Sequence, residues 1–204
     1  MFPNQDTQIS DLHEVRHQHI LKLVQQSGVK QLLDLGCGSG NFLWQLLNET
    51  QIEQVIGVEQ SSLSILQARE KLAAYLQQTP SRIRLINASY AEPHPELCGF
   101  PLAVMIETIE HIEPRLLSKV EQNVFAVMRP KQIIVTTPNY EYNPLYGLYP
   151  GQFRDPDHQF EWTRQKFQQW ARGVAARHNY EVHFSGIGQA DLQLGSPTQM
   201  AIFH

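Results

Sequence analysis

The sequence predicts an α/β domain built on a mostly parallel, seven-stranded sheet with helices on both faces. Three observations predict it. Short apolar runs alternate with amphipathic segments of helical period along most of the chain. The first run closes on an acid and a glycine-rich turn, "DLGCGSG", as a strand entering a ligand-binding turn does. The chain has 204 residues, 42% of them hydrophobic, which is enough to bury one sizeable core but cramped for two.

The elements follow in order. "SDLHEVRHQHILKLVQQSG" reads as a helix capped by Ser10, with Leu12, Val15, Ile20, Leu23 and Val24 near one face and Gly28 as its stop. "KQLLDLG" is the first strand, "NFLWQLLNE" a helix, and "QVIGVE" a second strand ending in an acid. Ser61 caps the helix "SSLSILQAREKLAAYLQQ", whose Leu63, Leu66, Leu72, Ala73 and Leu76 suggest a buried stripe. "RIRLINA" and "PLAVMIE" are the third and fourth strands. Pro114, tolerated in a first helical turn, opens a helix running to Met128. "KQIIVTTPN" is the fifth strand. After a long aromatic segment comes the helix "TRQKFQQWARGVAARHN", and "YEVHFSGIG" and "QMAIFH" form an antiparallel closing pair. The chain ends inside that last strand, so a domain cut from a longer protein is expected.

Composition excludes some functions. Charged residues make up 18% and the formal net charge is −4, so this is not a broadly basic nucleic-acid coat. The two cysteines, Cys37 and Cys98, lie far apart in no metal-type spacing, and a reducing compartment fits them best. The N-terminus lacks the apolar core of a signal peptide, and no apolar run approaches the ~20 residues that cross a bilayer. A soluble, cytoplasmic protein without a membrane partner is expected.

Gly36, Gly38 and Gly40 let the turn after the first strand bend tightly and approach a ligand. The spacing is G-x-G-x-G, not the dinucleotide fingerprint, and alone it also suits an ordinary strand–helix connection. Asp34 closes the first strand and Glu59 the second, where an acid can accept both hydroxyls of a ribose. The whole pattern resembles the class I S-adenosylmethionine-dependent methyltransferases, whose fold is Rossmann-like. The resemblance implies that "DLGCGSG" cradles the amino-acid end of the cofactor and that Glu59 holds its ribose. It divides the chain into an N-terminal helical segment, 1–28, packed on a methyltransferase domain, 29–204. Ser89 falls where the adenine is usually contacted; a turn serine is the other reading.

At the end of the fourth strand stands "ETIEHIEP". If the chain turns helical there, positions i, i+3 and i+4 bring Glu107, Glu110 and His111 to one face. Two oxygens and one nitrogen suit a divalent ion such as Mg²⁺ or Mn²⁺, while an exposed helical first turn explains the same acids. Glu113 fits that second explanation better. "RDPDHQFEWT" places His158 between two acids after the fifth strand. Most other histidines, among them His13, His17, His19 and His178, read as surface residues.

Together "ETIEHIEP", "TTPNYEYNP" and "DHQFEWT" resemble the small-RNA 3′-terminal 2′-O-methyltransferases of the hua-enhancer type. The resemblance implies that Glu107, Glu110, His111 and His158 bind one divalent ion, Mn²⁺ or Mg²⁺, and form the catalytic centre. It implies methyl transfer from S-adenosylmethionine to the 2′-hydroxyl of an RNA 3′ end, in RNA repair or small-RNA protection. A polynucleotide kinase-phosphatase-ligase partner, or a further domain, would then hold the RNA body. Phe160, Trp162, Thr137 and Asn139 are candidate substrate contacts. A small-molecule O-methyltransferase and a non-catalytic cofactor-binding scaffold are the alternatives; the four intact ligands argue against the scaffold.

Overall fold

The computed structural model describes residues 5–48 and 52–204. Its sheet has strands β1 (Gln31–Leu35), β2 (Gln54–Glu59), β3 (Ile83–Asn87), β4 (Leu102–Ile106), β5 (Gln132–Pro138), β6 (Val182–Ile187) and β7 (Thr198–Phe203). Their spatial order is β3-β2-β1-β4-β5-β7-β6. The first five are parallel; β7 inserts antiparallel between β5 and β6, so the closing pair is a hairpin with its second strand inward. The order reverses between β1, which pairs with β2, and β4, which also pairs with β1. Such a switch point opens a crevice at the carboxyl ends of the strands.

The alternation of side chains along the strands sorts the core into two layers. Leu32, Val55, Leu102, Val104, Ile134 and Met200 fill one face; Leu33, Ile56, Ala103, Met105, Val135 and Phe203 fill the other. Helices α1 (Gln5–Ser27), α2 (Asn41–Leu47) and α3 (Ser62–Lys71) cover the first face through Ile20, Val24, Phe42, Leu46, Ile65 and Ala68. The second is covered by α5 (Leu117–Val120), a π-helical continuation Glu121–Met128, and α6 (Arg164–His178). Both faces of the central strands are buried, which is why these strands read as near-continuous apolar runs.

Several local readings need revision. Helix α1 begins at Gln5, so Ser10 lies inside it rather than at its cap. Val15 faces solvent, Leu21 joins the buried face, and Leu23 packs against it partly buried, as expected. The predicted stripe of α3 holds only in part: Leu72 is buried as expected, but Leu63 is 67% and Leu66 63% exposed, and Ile65 and Ala68 are buried in their stead. The reason is close packing against the glycine turn, because a Cβ at Gly40 would come within 3.2 Å of the Ala68 Cβ. Leu72 interrupts the helix, and its remainder is the separate α4, Ala73–Leu76. The helix from Pro114 starts as a 3-10 turn and ends at Arg129 in the left-handed region. Among the described residues no helix is long and apolar enough to cross a membrane.

Candidate active site

The glycine turn is shaped by its neighbours. Gly36, Gly38 and Gly40 all have positive φ. At Gly36 a Cβ would overlap the Thr108 hydroxyl and lie 2.6 Å from Thr108 Cβ, so only glycine fits between β1 and the loop after β4. The Gly36 and Cys37 amides donate to the Val58 carbonyl at 2.8 and 3.1 Å, locking the turn to β2. At the end of β2 the Glu59 carboxylate accepts from Gly38 N at 3.0 Å and Ser61 N at 2.7 Å. Asp34 is buried, with one carboxylate oxygen unpartnered. Burial, with the Glu59 charge nearby, pushes its pKa up to about 7.

A cavity of about 480 Å³ opens above these strand ends, with Gly38, Glu59, Ser89, Glu107, Thr108 and His111 in its walls. Ser89 thus stands in the cavity wall, and its Oγ also accepts from Ala91 N at 3.2 Å, as a turn serine does. A smaller cavity of about 210 Å³ reaches Asp34, Arg16 and His17 and shares Gly36, Gly38 and Glu107 with the first. Helix α1 therefore closes one end of the site, which sequence reasoning missed. Burial, reinforced by the Arg16 charge, holds the His17 pKa down at about 4, so its imidazole is neutral. His178 is no free surface residue either: it pairs with Glu121 at 2.8 Å.

The carboxylate–histidine cluster forms differently from a simple helical face. Glu107 sits in the left-handed region with φ 48°, an arrangement that L-residues adopt at a cost and that gathers at functional sites. Its amide donates to the Thr136 carbonyl at 3.2 Å and hydroxyl at 3.1 Å. The short 3-10 turn begins only at Ile109. The Glu107 carboxylate instead pairs with the buried Arg16 guanidinium at 3.2 Å, its other oxygen buried and unpartnered. Glu110, His111 and His158 do converge, their ligand atoms all within 4.8 Å of one another.

Glu110 is fully buried; one oxygen accepts from the Thr137 hydroxyl at 3.0 Å and the other has no partner. Burial, with the Glu107 charge beside it, pushes its pKa well above the ordinary carboxylate value. Burial, aided by His158, lowers that of His111, favouring the neutral imidazole that ligates metals. An orphaned buried carboxylate oxygen beside two imidazoles fits a divalent cation: among the described residues that oxygen has no hydrogen-bond partner.

The expected substrate contacts lie elsewhere. Thr137 is buried behind Glu110 as its hydrogen-bond donor. Asn139 is buried and its side chain is spent on the Leu194 and Ser196 carbonyls and the Glu141 amide. Phe160 and Trp162 stack on each other at 4.4 Å within the core. None of the four lines the large cavity, where Asp157 and Gln159 stand instead.

Fold and glycine-turn crevice together define a class I S-adenosylmethionine-dependent methyltransferase domain, and a methyltransferase-domain family model matches residues 33–131. The crystallised methyltransferase domain of the bacterial protein CtHen1 is 35% identical, with a TM-score of 0.84 over 94% of this chain and 98% of that one. The small RNA 2′-O-methyltransferase of Arabidopsis thaliana is 33% identical over 94% of this chain, which spans 22% of its length. A chain in the structure of the Pnkp1/Rnl/Hen1 RNA repair complex shares the fold, at 21% identity and a TM-score of 0.72 over 94% of this chain and 41% of its own. The chain belongs to the Hen1 methyltransferase family.

Proposed function

We propose that this domain transfers the methyl group of S-adenosylmethionine to the 2′-hydroxyl of the 3′-terminal nucleotide of RNA. The observation that carries the proposal is the convergence of Glu110, His111 and His158 beside the glycine-turn crevice, with Glu107 in the wall of both cavities. Gly36 and Gly38 leave room for the cofactor, Glu59 offers acceptors for its ribose, and Asp34 sets a negative charge beside its cationic end. Glu107, Glu110, His111 and His158 would hold a divalent ion, Mn²⁺ or Mg²⁺. Such an ion acidifies a neighbouring hydroxyl and orients it for attack.

An alcohol is almost wholly protonated at neutral pH, so in-line attack on a sulfonium methyl needs both alignment and removal of the hydroxyl proton. A terminal ribose carries vicinal 2′- and 3′-hydroxyls, and an internal one does not. A site that grips both oxygens therefore selects ends. The relatives named for small-RNA 2′-O-methylation and for RNA repair support RNA as the acceptor and a kinase-phosphatase-ligase assembly as the partner. The chain's small net charge, −4, agrees with another subunit or domain gripping the RNA body.

The test incubates the protein with labelled S-adenosylmethionine, Mn²⁺ or Mg²⁺, and RNAs differing only at the 3′ nucleotide. Label should reach ends with free 2′- and 3′-hydroxyls and not 2′-deoxy or 3′-phosphorylated ends. Equal labelling of all ends would overturn the end-selection argument, and full activity in excess EDTA would remove the ion from it.

A further inference from the structure

His158 owes its environment to a buried polar chain that starts at an arginine. The Arg154 guanidinium, which can only donate, is held by the Pro197 carbonyl at 2.9 Å and the Asn139 carbonyl at 2.6 Å. Its Nε donates to Asn143 Oδ1 at 2.7 Å. That contact fixes the Asn143 amide: its oxygen faces the arginine, so its NH₂ must face the other way. It does, donating to Glu161 Oε2 at 2.5 Å. The second carboxylate oxygen, Oε1, accepts from Arg154 N at 2.7 Å and lies 2.6 Å from His158 Nδ1. The side chains of His158 and Glu161 are 7% and 0% exposed, so water does not compete for these bonds.

Polarity therefore runs one way through the chain. Arginine orients asparagine, and asparagine meets a carboxylate that is acceptor-only when ionised. Both Glu161 oxygens are already met by donors, Oε2 by the Asn143 NH₂ and Oε1 by Arg154 N, as the acceptors of a carboxylate are. The nitrogen facing Glu161 must then carry a proton. We propose that Glu161, oriented by Arg154 through Asn143, is a positioning residue that locks His158 in the Nδ1–H form and leaves Nε2 as its ligating nitrogen. The tautomer lock stands on the hydrogen-bond geometry alone; its purpose rests on the metal reading above. The same chain explains why the Tyr140–Tyr146 turn and the segment around His158, distant in sequence, close over one another: Asn143 and Arg154 tie them together.

The test reads the apo protein and its Mn²⁺ affinity separately. Long-range ¹H–¹⁵N NMR at pH 8.5 should show a protonated Nδ1 on His158 in the wild type; a bare Nδ1 overturns the proposal. E161Q puts an amide NH₂ in the chain, so that a donor must face either Asn143 or His158 and Arg154. It should lose the uniform Nδ1–H signal and weaken Mn²⁺ binding about 10–100-fold, the usual effect of losing an outer partner of a metal-binding histidine. E161Q/N143D restores one acceptor for two donors and should recover both readouts to within a few-fold. Near-UV circular dichroism and S-adenosylmethionine affinity report whether each variant is folded. If folded E161Q keeps the wild-type Nδ1–H signal and Mn²⁺ affinity, the proposal falls. If the wild-type tautomer is as stated but Mn²⁺ does not bind, the lock stands and the metal reading fails.

Discussion

Replacing Asp34 by asparagine should make the free protein more stable above neutral pH, even though Asp34 belongs to the glycine-turn motif. Asp34 is buried at the end of β1 with one oxygen unpartnered and Glu59 nearby, and its pKa rises from 3.8 to about 7. An acid with a native pKa above its unfolded value favours folding only while protonated. The penalty is absent below about 4, grows as pH rises, and is complete above about 7. A rise of about 3 pKa units corresponds to about 4 kcal/mol at 1.36 kcal/mol per unit. D34N does not titrate and keeps the shape. Urea unfolding of both proteins at pH 5, 6, 7 and 8 should show the stability gap widening in favour of D34N by about 2.5 kcal/mol, the rest of the penalty having set in below pH 5, with similar m-values. S-adenosylmethionine should reverse the order, because its cationic end stabilises the ionised acid; wild-type affinity should rise with pH through about 7 while that of D34N stays flat. Parallel pH profiles for the two free proteins would refute the reasoning.

Other perturbations test the packing and the glycine turn. G36A should abolish S-adenosylmethionine binding in calorimetry, since the added methyl overlaps the Thr108 side chain in a left-handed backbone. T137V keeps the volume but removes the side-chain hydrogen bond to the Glu110 carboxylate; it should cost about 1–3 kcal/mol in chemical denaturation, and no loss would show that Glu110 is satisfied otherwise. F125A empties a fully buried site among Trp170, Tyr180 and Phe203 and should cost about 3–5 kcal/mol on the same measure.

Sequence pattern revealed what repeats locally and hid what the chain assembles from afar. The strands were legible because both faces of the sheet are buried, so each central strand is an apolar run closed by a polar residue or glycine. The stripe on α3 was misread because Leu63 and Leu66 are larger and more apolar than Ala68. The glycine turn leaves room only for a small residue, and size complementarity carries no periodicity. Glu110, His111 and His158 were legible as residue types that bind metals, grouped in short motifs. Arg16, Asn143, Arg154 and Glu161 were not: each reads as an ordinary polar residue until the fold buries it against a partner 7 to 91 positions away, as Glu161 meets Arg154 and Arg16 meets Glu107. Asn139 and Trp162 show the converse. Their types suit nucleotide binding, but the backbone places them beneath the surface, where their bonds and rings are already used.

The charge balance of the strand-end crevice points to cationic ligands independently of any likeness to other proteins. Asp34, Glu59, Glu107 and Glu110 stand at the ends of or just beyond β1, β2 and β4; the first three line two adjoining cavities that share Gly36, Gly38 and Glu107, and Glu110 is buried beside them. Arg16 forms an ion pair with Glu107, and oxygens of Asp34, Glu107 and Glu110 remain buried without hydrogen-bond partners among the described residues. The acids also disfavour one another's ionisation, Glu59 acting on Asp34 and Glu107 on Glu110. A fold that kept these acids only for stability would do better with neutral residues, since a buried unpaired carboxylate is a net cost. On the proposed function that cost would be recovered by cations, one at the Asp34 end and one at the Glu110 end. A sulfonium cofactor and a divalent ion meet those two needs, and either should raise the melting temperature of the free protein.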